Sequence, residues 1–397
     1  MKTDRIGHLL AAAGLCGSLA LGALAKAEPS PAVREYRMHM FDPSVTTLAN
    51  RTSVLMFDTR QVKRGKTVWK LPSALKPLAF NYSVDGQTYP AEAFAERTFT
   101  DALLIIKNGR IVHERYLNRT TPQTHFMSYS MGKTFNSIMA GMAVRDRRIG
   151  SVDDQIVKYV PEMKGSVYDG LTLKNLLQMR TGVAWDDNFF KDGPARDAHV
   201  AAFVDNKRHY FLAARDMKRG GPAGEKFNYN SIEAALMGEV VSRASGHKLA
   251  DYLSETLWKP AGMEADAFYV LDGPEPDGRE FTAGAFNAVL RDYGRVGLMM
   301  LNNGRANGRQ VLPANWVKES TAPGPGSATG GRGYAYFWWT MPGGAYSMVG
   351  GEGQFVYVDP ASRTVVIKLS HIPVGETGTK ATAETYAFLK AASDWKS

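Results

Sequence analysis

The stretch "HFMSYSMGKTFNSIMAG", His125 to Gly141, places Ser130 three residues ahead of Lys133 at the start of an apolar run. Two readings compete. In one, Ser130 caps a helix and Lys133 is a solvated helix lysine. In the other, Ser130 is a nucleophile. A residue in the first helical turn keeps a free backbone N–H, and the helix dipole favours negative charge there. Spacing of i and i+3 puts Lys133 on the same face. Burial would strip Lys133 of its preference for the charged form and make it a base near neutral pH.

The tetrapeptide alone does not choose between them. Ser-x-x-Lys occurs four times, at Ser73/Lys76, Ser130/Lys133, Ser245/Lys248 and Ser393/Lys396. Ser73 follows Pro72, Ser245 precedes Gly246 at a helix end, and Ser393 stands at the C-terminus. Only Ser130 opens a strong apolar helix pattern, so its surroundings must decide.

About a hundred residues on, "GEKFNYNSIEAALMG" carries Tyr229 just before another helical pattern. A phenol there can relay protons between nucleophile and leaving group. Farther on, "YSMVGGEGQFVYVDP" is a glycine-dense entry to a strand. Such glycines let a strand edge approach a substrate closely. The Ser130 and Gln354 N–H groups are the expected oxyanion donors. Trp185 and Asp186 follow a helix stop in a loop, a position suited to a pocket wall. Phe337-Trp338-Trp339 lies in a strand pattern, where core packing is the default.

Taken in order, these elements resemble the serine β-lactamase and penicillin-binding superfamily. The likeness is greatest to the class C β-lactamase-related branch that includes esterases and 6-aminohexanoate-dimer hydrolases. It runs from about Thr100 to the end, through "TDALLIIKNGRIVHERY", "SYSMGKTF", "LTLKNLLQMRTGVAWDD", "FNYNSIEAALMGEVV" and "GEGQFVYVDP". The resemblance implies an α/β (α+β) fold: an antiparallel sheet flanked by helices, plus a helical lobe, with the site between them. It also implies Ser130 as the acylated nucleophile, Lys133 as general base and Tyr229 as the proton carrier.

The departures bear on substrate. Tyr229-Asn230-Ser231 ends in serine, where β-lactamases of this branch have asparagine; the dimer-hydrolase-like members resemble this chain there. No Lys-Thr-Gly is present. Gly351-Glu352-Gly353 stands in its place, and a glutamate would repel a substrate carboxylate. Both departures favour an esterase or amidase over a β-lactamase. The alternatives are a β-lactamase or D-alanyl-D-alanine carboxypeptidase, or a non-catalytic protein binding cell-wall fragments. Arg180-Thr181-Gly182 replaces the family's usual Thr-Ser-Gly, with no role assigned to Arg180.

Other chemistries lack their motifs. There is no Gly-x-Ser-x-Gly and no His-Glu-x-x-His. Gly132-Lys133-Thr134 resembles the end of a phosphate loop, but Met127 stands where its first glycine belongs. No metal and no cofactor is expected. The partner is a small ester, amide or short peptide-like molecule. Of the net charge of +9, residues 1–27 hold +2, and the remaining +7 is scattered, which argues against nucleic acid.

Residues 1–27 read as a signal peptide. Lys2 and Arg5 precede an apolar stretch from Leu9 to Ala25, and Ala25-Lys26-Ala27 fits a cleavage site before Glu28. The stretch is short and rich in Ala and Gly, which disfavours a retained anchor. Cleavage removes Cys16, the one cysteine, and with it any disulfide or thiol chemistry. The expectation is an exported, periplasmic or secreted protein with no stable membrane insertion.

The rest divides by pattern. Residues 28–98, rich in Pro and short apolar pieces, read as an extended arm. Asn108-Gly109 between two β-rich runs predicts a hairpin. Helical patterns fill 129–285, and strand patterns return after "VLRDYGRVGLMMLNNG". The economical architecture is one α/β lobe from 99–128 and 286–397, with a mainly helical lobe, 129–285, inserted.

Overall fold

The computed structural model describes residues 28–42, 44–324 and 332–396. The expected signal peptide, 1–27, lies outside them. The main sheet has seven strands, all antiparallel. Their order is Gly333–Tyr334, Trp339–Thr340, Tyr346–Gly350, Gln354–Asp359, Thr364–Ser370, Thr100–Lys107 and Arg110–Tyr116. Strands from both parts of the chain meet where Thr364–Ser370 pairs with Thr100–Lys107. The predicted hairpin forms, with Asn108 and Gly109 both at positive φ, as a tight two-residue turn requires.

Strand Thr100–Lys107 is buried on both faces. Alternation sends Leu104 and Ile106 into the main core and Leu103 and Ile105 into a second one. Helix Leu290–Leu301 covers the first face. Gly294 lets it sit close, since a Cβ there would lie 2.7 Å from Leu104 Cδ2. The C-terminal helix Glu376–Asp394 covers the other face, where Phe388 stacks on Phe94 at 3.7 Å.

The helix that opens the quoted stretch, Met131–Arg145, is buried from Met131 through Ala143 without a break. It is a central helix rather than a surface one, packed against helix Ser231–Ser245. Two of its buried polar side chains donate to distant carbonyls, Thr134 Oγ1 to Phe337 O and Asn136 Nδ2 to Ala234 O, while Asn136 Oδ1 and Ser137 Oγ find no partner among the described residues.

Two features depart from the sequence reading. Residues 28–98 are not simply extended. They contain helices Pro31–His39 and Thr46–Met56, a hairpin at 81–90, and strand Thr59–Val62. That strand joins Ala267–Val270, Phe286–Val289 and His125–Met127 in a second antiparallel sheet of four strands. So the mainly helical stretch 129–285 also carries strand Ala267–Val270, besides the two-residue strands Val183–Ala184 and Lys218–Arg219. The four-stranded sheet matters to the site, because His125–Met127 runs directly into Ser128, Tyr129 and Ser130.

Candidate active site

The approach to Ser130 is fixed on both sides. Ser128 N–H donates to Phe286 O at 2.7 Å, and Phe286 N–H donates to Ser128 Oγ at 3.2 Å. Tyr129 then takes a left-handed conformation, φ 46, which costs a non-glycine residue roughly 1–3 kcal/mol and persists only where neighbours impose it. Those neighbours are visible. Tyr129 OH donates to Asn50 Oδ1 at 2.9 Å, and its Cβ side faces Gly350 and Gly351.

Ser130 stands at the N-cap position, yet its side chain makes no capping bond. Its Oγ instead lies 2.7 Å from Lys133 Nζ. Lys133 is buried, 1% exposed, and its Nζ also reaches Ala283 O at 2.7 Å. Burial holds the Lys133 amine down to about 8, opposed by the Asp187 charge. The solvated-lysine reading fails on this burial. The other Ser-x-x-Lys serines that the fold buries are occupied elsewhere: Ser245 Oγ donates to Ser242 O and Ser393 Oγ to Tyr357 OH.

Gly132 makes the Lys133 contact feasible. A Cβ on it would meet Ser128 Oγ and Thr282 O at 3.1 Å, so its absence lets segment 282–284 lie against the helix. Among the described residues, no backbone carbonyl accepts the Ser130 N–H, as expected where a helix begins.

Tyr229 precedes Asn230, whose side chain caps helix Ser231–Ser245 by accepting from Ile232 N and Glu233 N. The Tyr229 phenol is buried, which raises it above its ordinary range; a hydrogen bond with Ser130 works the other way. Its ring lies 5.0 Å from Lys133 Nζ and stacks on Trp339 at 5.9 Å. Behind it, burial pushes the Glu233 carboxyl up to about 8, and Glu233 takes bonds from Thr181 and Asn230.

The structure brings together Ser130, Lys133, Tyr229 and Ser231. Of the loop residues, Asp187 rather than Asp186 belongs to the site. Asp186 is exposed and pairs with Lys191. Asp187 accepts from Ser231 N, Ser231 Oγ and Trp185 Nε1. Trp185 is therefore present as the prop of Asp187, on the rim of a neighbouring cavity. Trp338 is core, as expected, but it lies with Phe337 in the bend between strands Gly333–Tyr334 and Trp339–Thr340 rather than in a strand, and Trp339, the first residue after the bend, stacks on Tyr229. Sequence reading did not place Asp187, Trp339 or Glu233 at the site.

The glycine-dense segment is placed differently from expectation. Gly351, Glu352 and Gly353 form the turn after the last ladder pair, Gly350 with Gln354. Gly351 lies against the Tyr129 ring. The Glu352 carboxylate does not face Ser130. It accepts from Thr46 Oγ1 at 2.7 Å and Asn50 Nδ2 at 2.9 Å, in helix Thr46–Met56. Its expected repulsion of a substrate carboxylate therefore loses its geometric basis. Gln354 turns its side chain away, to Ser370, where it donates to the carbonyl and accepts from the N–H. Arg180 Nη1 holds Gly224 O at 2.6 Å and fixes the loop leading to Tyr229.

Beside Ser130 lies a cavity of about 70 Å³ with mostly apolar walls. Among the described residues, no cluster of His, Cys, Asp and Glu is arranged to hold a metal, and no helix is long and apolar enough to cross a membrane.

Known proteins give the same picture. A family model described as Beta-lactamase matches residues 91–389. The 6-aminohexanoate-dimer hydrolase of Paenarthrobacter ureafaciens is 28% identical over 301 residues, 71% of this chain and 75% of that protein. An Escherichia coli K12 protein named "Putative D-alanyl-D-alanine carboxypeptidase" is 23% identical over 279 residues, 56% of this chain and 63% of that one. Two solved structures share the fold. One, described as "Putative 6-aminohexanoate-dimer hydrolase from Bacillus anthracis", has TM-score 0.78 at 24% identity, covering 89% of this chain and 95% of the other. The other, the octameric penicillin-binding protein homologue from Pyrococcus abyssi, has TM-score 0.59 at 20% identity, covering 75% of each. With a match spanning residues 91–389, this chain belongs to the Beta-lactamase family, as a hydrolytic enzyme of its 6-aminohexanoate-dimer-hydrolase-like branch.

Proposed function

We propose that the protein is an exported serine hydrolase that cleaves carboxylic ester or amide bonds through a Ser130 acyl-enzyme. The observation that carries this reading is the buried Lys133 amine, 2.7 Å from Ser130 Oγ. Held down to about 8 by burial, the amine is neutral in a minor but usable fraction at neutral pH, and in that form it can accept a proton. The Tyr229 phenol, raised by burial, is neutral under the same conditions. That assigns the base to Lys133 and the acid to Tyr229.

Ser130 Oγ attacks the carbonyl carbon as its proton passes to Lys133 Nζ. The oxyanion is held by the Ser130 N–H and by an N–H of the turn that begins at Gly351, in place of the expected Gln354, which the ladder pairs with Gly350. Collapse breaks the bond to the leaving group, which takes the Tyr229 proton, and Lys133 returns its proton to Tyr229. Water then attacks the acyl carbon, loses its proton along the same path and restores Ser130. Export rests on the signal-like residues 1–27.

Intact-mass spectrometry after exposure to a panel of esters, amides and β-lactams tests the reading. The expected result is a mass increase from esters or amides, absent in Ser130→Ala. Rapid turnover of a chromogenic cephalosporin, lost in Ser130→Ala, would shift the assignment to a β-lactamase. No label from any substrate or fluorophosphonate would leave a non-catalytic binding protein.

A further inference from the structure

We propose that the N-terminal segment selects the acyl group: Met40, Phe41 and Phe57 close the cavity beside Ser130 and fit it to a short, uncharged, apolar acyl chain. This rests on the Ser130 acyl-enzyme reading and adds to it the part of the substrate that stays on the enzyme.

The side of the nucleophile decides which substrate group the cavity takes. The cavity opens on Ser130, Lys133 and Ser231, while Tyr229 is not among its walls. Tyr229 lies with Trp339, Tyr334 and Phe227. A leaving group must sit beside its proton donor, so it occupies the Tyr229 side. The cavity is then left for the acyl group.

Its chemistry is apolar. Phe203, Phe281 and Val270 line it from the body of the enzyme, and Met40, Phe41 and Phe57 from the N-terminal segment. Phe41 bridges Tyr129 at 6.1 Å and Phe189 at 5.5 Å. His199 is surrounded by the rings of Phe41, Phe189 and Phe203, and burial keeps it neutral, its pKa pushed down to about 4. It therefore offers no positive charge to an acyl chain that ends in a carboxylate.

The segment is held firmly in this position. Arg37 donates to Met56 O, Phe203 O and Asn206 Oδ1, and Arg51 pairs with Asp101 at 2.9 Å. Thr46 and Asn50 hold Glu352. All three wall residues precede residue 91, where the family match begins.

The test uses the full chain and p-nitrophenyl esters of acetate, butyrate, hexanoate, octanoate and hydrogen succinate, so that only the acyl group varies. The wild type is expected to prefer acetate or butyrate, and to turn over the succinate ester at least tenfold less well than butyrate. Phe41→Ala and Met40→Ala should raise the octanoate-to-butyrate ratio of kcat/KM about tenfold, the scale at which apolar pockets discriminate. Met40→Phe should narrow the preference toward acetate. Phe41 is partly exposed, so its variant remains informative if a core variant does not fold. Unchanged ratios in folded Phe41→Ala and Met40→Ala, with the acyl-enzyme still forming, would overturn this inference alone. Absence of any acyl-enzyme in the wild type would overturn it together with the function on which it rests.

Discussion

Asp187 takes two hydrogen bonds from Ser231, from the backbone N–H at 2.8 Å and from the hydroxyl at 2.7 Å. This anchors a carboxylate beside the nucleophile, where its charge raises the pKa of Lys133 against the lowering effect of burial. Asp187→Asn removes the charge and keeps an acceptor. The Lys133 pKa then falls, more of the amine is neutral at a given pH, and the rising limb of activity moves to lower pH. A pH profile of kcat/KM on a p-nitrophenyl ester reads this directly. A limb that stays in place, or moves upward, would remove Asp187 from the electrostatics of the base.

The wild-type profile has its own expected shape. With Lys133 lowered to about 8, kcat/KM rises with pH and levels off above that value, because the neutral amine is the active form. Lys133→Met should cost about 10²–10⁴-fold, the usual worth of a general base, and should abolish the limb. A residual limb in that variant would point to another base.

Tyr229→Phe separates the two proton transfers. An amide leaves as an amine and needs a proton, whereas p-nitrophenolate is stable without one. The variant should lose about 10²–10⁴-fold on amides and distinctly less on p-nitrophenyl esters. Equal losses on both would deny Tyr229 the role of leaving-group acid.

Gly132→Ala tests whether Lys133 depends on the close approach of segment 282–284. Alanine favours a helix by roughly 1 kcal/mol over glycine, but its Cβ would press on Ser128 Oγ and Thr282 O at 3.1 Å. The expected outcome is a fall in kcat/KM with little change in Tm. Full activity would show that the Ala283 O contact is dispensable.

Glu352→Ala leaves the Thr46 hydroxyl and the Asn50 amide without their acceptor. Losing such partners at a partly buried site costs about 1–3 kcal/mol. The variant should show a lower Tm and earlier tryptic cleavage at Arg37 or Arg51. Glu352→Gln, which keeps one acceptor oxygen, should fall between.

Much of this is legible in the sequence. Ser130 and Lys133 share a helix, so their spacing is the geometry. Tyr229 and Ser231 flank the cap of the next helix, and capping is local. The hairpin at Asn108-Gly109 follows from backbone conformation alone. What escaped was set by contacts distant in sequence. Asp186 and Asp187 are adjacent and chemically alike, and only the fold of their loop decides which meets Ser231. Glu352 could be seen standing near the site but not pointing away from it. Its partners, Thr46 and Asn50, lie some three hundred residues earlier. Ser30-Pro31 is a fair helix-start signal, and Ser30 does cap that helix. The prolines that follow and the short apolar pieces obscured it.

Phe41 and Met40 are encoded far from Ser130, Lys133 and Tyr229, in a length of chain that the family's common span leaves out. On the acyl-pocket proposal, reactivity and taste are therefore written in separate lengths of this chain. The helices between residues 31 and 57 can be altered toward a new diet while Ser130, Lys133 and Tyr229 stay as they are.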